Sequence, residues 1–325
     1  MEKRKVKAGI YPHLSADIYH ADPCETPSLS ASVAKVLLAQ TPAHARLQHP
    51  RLSSVERDDT AAMDVGSAAH ALMLGDPADF VIVEADDWRT KAAKEARDKA
   101  RAAGKIPMLA DRFDQVAAMV AAGRAQLAAH PDAEGVFTSE AGASEVSIFW
   151  QDGHAKAPVW CRARVDWLPT VGPVIWDYKT TTSAHPNDWA RQTVNLGHDI
   201  QAGLYCRGLR KLGWAERPVF KFVVQEVEPP YALAIHTLDP FWADRAEQMA
   251  SHAINLWSRC LHNDSWPGYM GATYHLEMPG YHEKKWDDRM DREQMTAELT
   301  ALVWQAPDAE AARRVIEMYK KETGK

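Results

Sequence analysis

Two short β-type segments joined by a five-residue turn constrain this chain most. The first is Arg164-Val165-Asp166-Trp167-Leu168 and the second Val174-Ile175-Trp176-Asp177-Tyr178-Lys179-Thr180. Pro169-Thr170-Val171-Gly172-Pro173 between them is rich in turn formers and short enough for a hairpin. Strand alternation puts Arg162, Arg164 and Asp166 on one face of the first strand, and Ile175, Asp177 and Lys179 on one face of the second. A register that pairs position 166 with position 177 makes the two aspartates cross-strand neighbours, an arrangement that destabilises a bare sheet. A bound Mg²⁺ would reverse that penalty, since hard oxygen ligands suit it and one or two carboxylates suffice. Lys179 beside such an ion could orient the attacking water, help deprotonate it and offset charge on a phosphate. On these residues alone, a solvated hairpin with a surface Asp–Lys pair fits equally well.

Neighbouring segments add candidates. Glu145 lies in Ser144-Glu145-Val146-Ser147-Ile148-Phe149-Trp150, which reads as the preceding strand. It is either a site residue or a charge on a strand face. Asp199-Ile200-Gln201-Ala202-Gly203-Leu204-Tyr205 reads as a helix start with Gln201 and Tyr205 on one face. Gly66-Ser67-Ala68-Ala69-His70-Ala71-Leu72-Met73-Leu74 reads as a small-residue helix carrying one histidine. A lone histidine there is more often a hydrogen-bonded core residue than a ligand, and a Gln and a Tyr on one helix face usually pack.

Taken in order, Gly66-Ser67-Ala68-Ala69-His70, Arg164-Val165-Asp166, Asp177-Tyr178-Lys179-Thr180-Thr181 and Gln201-Ala202-Gly203-Leu204-Tyr205 resemble the PD-(D/E)XK nuclease superfamily. Within it they resemble the RecE-type (exonuclease VIII-like) phage and prophage exonucleases. Leu29-Ser30-Ala31-Ser32 with Thr41-Pro42-Ala43-His44, and Phe222 to Tyr231 with its Pro-Tyr step, extend the likeness over about residues 10–270. Val165 stands where the superfamily's name has proline.

The resemblance implies an α/β restriction-endonuclease-like core, a central mixed sheet flanked by helices, with helical N- and C-terminal additions. It implies Asp166, Asp177, the Tyr178 backbone carbonyl and His70 as ligands of Mg²⁺ or Mn²⁺, with His70 as in the RecB-like branch. Lys179 would be the catalytic lysine. Gln201 and Tyr205 would support the site and contact the DNA backbone, and Glu145 fits an acidic position of some branches. The implied activity is metal-dependent exonucleolysis, resecting double-stranded DNA ends 5′→3′ to leave a strand for a single-strand-annealing protein, and the implied assembly is a ring-shaped homo-oligomer. The open alternatives are an endonuclease or single-strand nuclease on the same site, a non-catalytic DNA-binding scaffold, and a hydrolase of small phosphoesters.

Composition excludes little. The chain has 325 residues, 46% hydrophobic and 25% charged, which is ordinary globular usage. No apolar run is long enough to span a bilayer. The basic start from Met1 to Lys7 is followed by no apolar stretch, so no secretory signal is expected and the expected location is cytoplasmic. Cys24, Cys161, Cys206 and Cys260 are scattered, which predicts reduced, mostly interior thiols rather than a zinc, disulfide or iron–sulfur framework. The net charge of −6 is awkward for a DNA-binding protein, although proposed metal ligands supply part of it. Basic clusters fall at Lys3–Lys7 and at Arg89–Arg101, the second on a helix whose Glu95 and Asp98 offer local pairs.

The expected organisation is a nuclease domain over residues 1–270 and a helical appendage over 271–325. Helices are expected to begin near Ser30 and to span about 61–75, 88–103, 111–129, 199–212 and 240–262. Strands are expected at about 80–84, 144–151, 159–168, 173–180, 218–227 and 231–238. Past the charged run Trp286–Arg292, apolar residues recur at helical spacing from Met295 to Val303 and from Ala311 to Tyr319.

Overall fold

The computed structural model describes residues 6–53, 61–75, 80–153, 157–271 and 273–323. Lys3, Arg4 and Lys5 of the N-terminal basic cluster lie outside them. The chain divides into two compact units, Met1–Tyr269 and Met270–Lys325.

In the first unit the chain runs β1 (Gly9–Tyr11), α1 (Ala16–His20), α2 (Ala31–Ala39), α3 (Pro42–Gln48), α4 (Ala61–Leu74), β2 (Phe80–Val83), α5 (Lys91–Ala102), β3 (Ile106–Leu109), α6 (Ala110–Ala128), β4 (Gly142–Asp152), β5 (Val159–Pro169), β6 (Val174–Thr181), α7 (Pro186–Leu196), α8 (His198–Lys211), β7 (Val219–Glu226), β8 (Leu233–Thr237) and α9 (Pro240–Asn263). The expected helices and strands appear, and β1, α1, α3, β3 and α7 are additional. Ser30 caps α2 by accepting from the Val33 N–H, the role its Ser-x-Ser context suggests.

Six strands form one sheet in the order β1-β4-β5-β6-β7-β8, and β2 and β3 form a small parallel pair. β6 and β7 run parallel while the other neighbours in the large sheet are antiparallel, so the sheet is mixed. One apolar core lies between this sheet and α2, α8 and α9, around Ile148, Trp150, Val165, Leu204 and Trp257. A second joins Trp167, Trp176 and Tyr178 to Ala69 and Met73 of α4 and Met119 of α6. The sheet is thus sandwiched between helical layers, as expected for this α/β class. α8 and α9 cross closely: a Cβ on Gly203 would come within 2.3 Å of the Ala246 carbonyl oxygen, so only glycine fits there.

Strict alternation fails at one place. Val146, Ile148 and Trp150 of β4 and Cys161, Ala163 and Val165 of β5 face the first core, but so do Ala143, three residues before Val146, and Leu168, three after Val165. The slip falls at the position where Glu145 stands opposite Asp166. Glu145 has φ 56°, a left-handed conformation costing a non-glycine residue roughly 1–2 kcal/mol. The break in alternation thus lies between Val165 and Leu168, at Asp166 and Trp167.

Local details bear out two minor expectations. The basic helix α5 is a solvated face with local pairs, Lys91–Glu95 at 3.7 Å and Arg97–Asp98 at 2.8 Å. All four cysteines are free, and Cys24, Cys161 and Cys260 are buried.

The second unit contains α10 (Gly280–Trp304) and α11 (Ala309–Thr323), where the Tyr319 hydroxyl donates to the Met295 carbonyl at 2.9 Å. The charged run Trp286–Arg292, read as a polar lead-in, lies inside α10, where pairs such as Arg289–Glu293 at 2.8 Å support the helix. No helix among the described residues is long and apolar enough to cross a membrane.

Candidate active site

The site forms where β5 and β6 part. Trp167 pairs with Trp176, the register that sets position 166 opposite position 177, and no further pair of the two strands is in ladder register among the described residues. The Asp166 carboxylate fills the gap: the Tyr178 N–H donates to its Oδ2 at 2.9 Å. Asp177 is buried, with one oxygen accepting from Gln201 Nε2 at 2.7 Å and the other 2.5 Å from Lys179 Nζ. Lys179 also lies 3.8 Å from Asp166 Oδ2, and its ammonium donates to the Tyr178 carbonyl at 3.4 Å.

α4 brings His70 to this gap. Arg124 donates to the Leu72 and Met73 carbonyls, both at 2.9 Å, and Ser144 Oγ donates to the Leu74 carbonyl at 2.8 Å. These bonds satisfy carbonyls that a helix end leaves open and tie α4 to β4 one residue from Glu145. His70 Nε2 sits 3.0 Å from Asp166 Oδ2, and Nδ1 sits 3.3 Å from Glu145 Oε1. Arg164 clasps the other Glu145 oxygen and is itself held by the Leu14 carbonyl at 3.0 Å and Ser147 Oγ at 2.9 Å.

His70, Glu145 and Asp166 each turn one ligand atom inward, all within 4.8 Å of one another, a spacing suited to a metal ion. The donor set of one imidazole nitrogen and two carboxylate oxygens suits a divalent cation. Glu145 thus stands with the candidate ligands. Asp177, expected among them, lies outside this triad, spanned by Gln201 and Lys179; its Oδ2 makes no hydrogen bond of good geometry.

Electrostatics point the same way. Burial and the negative charge of Asp166 push the Asp177 carboxyl up to about 6, against the pull of Lys179. Burial would raise Asp166 too, but His70, Lys179 and the Tyr178 N–H outweigh it and hold the group well below the usual carboxylate range. Burial depresses Lys179, and the two aspartates more than reverse that, so it is an ammonium. His70 is likewise raised against its burial by Asp166 and Glu145. Burial, with Asp166 nearby, raises Glu145. Crowded acids of this kind are what a dication relieves.

Of the remaining expected residues, Gln201 sits in the first turn of α8 and touches Asp177. Tyr205, one turn on, does not reach the open side. It is buried in the first core against Phe220, ring centroids 5.9 Å apart. Burial holds its hydroxyl well above its ordinary value, and it backs the site from inside instead of meeting a DNA backbone.

Three supporting residues were not anticipated. Arg164, expected only on a strand face, is the clasp of Glu145. Gln225 is fully buried; its Oε1 accepts from the Tyr178 hydroxyl at 2.7 Å and its Nε2 donates to the Met119 carbonyl at 2.6 Å, so β6, β7 and α6 lock Tyr178 in place. Lys35 donates to Gln201 Oε1 at 3.3 Å. A lone charge in the otherwise uncharged helix Ala31–Ala39 is the signal that could have found it.

A mixed sheet between helical layers, with Asp-x-Lys on one central strand and a second aspartate opposite it on the next, defines the PD-(D/E)XK-like class of α/β fold. The model of the PDDEXK-like domain of unknown function (DUF3799) matches residues 30–277, and the chain belongs to that family. Among solved structures, a "Putative exonuclease" from Eubacterium rectale superposes with a TM-score of 0.54 at 13% identity, covering 82% of this chain and 96% of that one. At that identity the likeness is one of fold. The structure of SSO0001, also 13% identical, covers 66% of this chain and 83% of its own with a TM-score of 0.25, too low to support any argument. No curated protein matches the chain.

Proposed function

We propose that the protein is a divalent-metal-dependent deoxyribonuclease, an exonuclease that resects double-stranded DNA ends. The observation that carries this reading is the meeting of Asp166, Asp177 and Lys179 at the parting of β5 and β6, with His70 and Glu145 closing on the same gap. His70, Asp166 and Glu145 would hold Mg²⁺ or Mn²⁺, with the Tyr178 carbonyl and Asp177 Oδ2 beside it. When bound, such an ion polarises a phosphoryl oxygen and makes water a nucleophile at neutral pH. Lys179, as an ammonium, donates to the nucleophile and offsets charge on the phosphate oxygens. Gln201 holds Asp177 in place through Oδ1. A protein that only bound DNA would gain nothing from two mutually repelling carboxylates.

The 5′→3′ direction, the hand-over of a 3′ strand to an annealing protein and a ring-shaped homo-oligomer are supported by the sequence resemblance to RecE-type enzymes. The test is linear duplex labelled at the 5′ or the 3′ end, with Mg²⁺, Mn²⁺ or EDTA, beside a closed circle. Early metal-dependent release of the 5′ label, with the circle intact, is the expected result. Cutting of the circle would make the protein an endonuclease on the same site. DNA binding without cleavage under either metal would overturn the nuclease reading.

A further inference from the structure

The Gln201 side-chain amide bridges two charged groups. Its Nε2 donates to Asp177 Oδ1 at 2.7 Å, and its Oε1 accepts from Lys35 Nζ at 3.3 Å. A side-chain amide is nearly symmetric in shape, so turning it over exchanges donor and acceptor. Turned over, Oε1 would face a carboxylate that has no proton to give at neutral pH. A lysine ammonium only donates, so it tolerates only the oxygen of the amide. We infer that Lys35 is a positioning residue of the active site: it locks the Gln201 amide so that Nε2 occupies Asp177 Oδ1 and Oδ2 stays open toward Lys179 and the metal.

The chain is shaped to admit this lysine. Gly197 joins α7 to α8 at φ 63°, and a Cβ there would lie 3.0 Å from Lys35 Cγ and 3.5 Å from its Cβ. One glycine therefore makes the left-handed turn that starts α8 and leaves room for the lysine stem. The charge environment opposes the ammonium without abolishing it at neutral pH. Burial and the nearby Lys179 bring Lys35 down to about 8, while Asp177 and Asp199 pull the other way. Its consequence for cleavage rests on the nuclease reading; the Lys35–Gln201–Asp177 relay does not.

The relay is tested first without metal. In EDTA, the two Gln201 side-chain amide protons, assigned by their loss in Gln201→Leu, are expected to be widely separated in the NMR spectrum. Lys35→Met should collapse that separation and Lys35→Arg should restore it, with melting curves confirming that each variant folds. Second, Mn²⁺ titrated calorimetrically should bind roughly tenfold more weakly to Lys35→Met, the scale of outer-shell losses. In a Gln201→Leu background, Lys35→Met should cost nothing further. In cleavage, kcat should fall with KM little changed. Unaltered amide resonances, or additive losses in the cycle, would overturn the inference. So would a raised KM with a changed salt dependence, which marks a direct phosphate contact. If the wild type cleaves no DNA, the nuclease reading fails while the amide resonances still decide the role of Lys35.

Discussion

The backbone N–H of Tyr178 donates to Asp166 Oδ2 at 2.9 Å, so a side chain of β5 stands where a main-chain acceptor would pair with β6. The bond sets the carboxylate between the strands, within reach of α4 on one side and Lys179 on the other.

Lys179→Ala should abolish cleavage, a loss on the order of 10²–10⁴-fold, with duplex binding and melting temperature little altered. Steady-state cleavage beside a DNA-binding titration checks this. Undiminished cleavage would remove the lysine from the chemistry.

Asp177→Asn should separate stability from function. The folded protein raises this carboxyl from 3.8 to about 6, so its contribution to stability is full below its unfolded value and is lost as pH rises through about 6. In EDTA above pH 6.5, Asp177→Asn should therefore be more stable than the wild type, by on the order of 1–3 kcal/mol, while with Mg²⁺ its cleavage should disappear. Below pH 4 the two should converge. Denaturant unfolding at both pH values reads the difference; a less stable variant at high pH would contradict the assigned charge environment.

His70→Ala should weaken Mn²⁺ binding with little loss of stability, because the side chain is 29% exposed and both ring nitrogens face carboxylates instead of apolar core. Calorimetry and thermal melting together decide. A variant that fails to fold would restore His70 to the class of core histidines.

Gln225→Leu should destabilise the protein by roughly 1–3 kcal/mol, because it strands the buried Tyr178 hydroxyl and Met119 carbonyl. Cleavage should fall as well, since the residue between Asp177 and Lys179 loses its anchor. Tyr178→Phe in the same background should recover part of the stability, and absence of any coupling would mean the two act separately.

Much of this was legible because it is local. Alternation and a Pro-Gly-rich turn place Asp166 opposite Asp177, and α8 begins within one residue of Asp199, where a helix start is expected. What escaped is mostly non-local or short. β1 has three residues and β3 contains Pro107, so neither shows a strand period, and α7 buries only Trp189 and Thr193 of its eleven residues. Glu145 is a candidate from its strand, but its left-handed φ of 56° and its meeting with His70 carry no sequence signal. For Tyr205 the resemblance implied a DNA contact while its spacing with Gln201 suggested packing, and the buried ring follows the spacing.

The Trp167–Trp176 pair works like the rivet of a pair of tongs. On one side of it the handles end in the turn 170–173, where Val171 is 86% exposed. On the other the jaws carry the two aspartates. Changes in the length or composition of the turn should therefore leave the acid-to-acid distance alone, whereas trimming either indole would let the jaws slide, though both rings are buried in the second core.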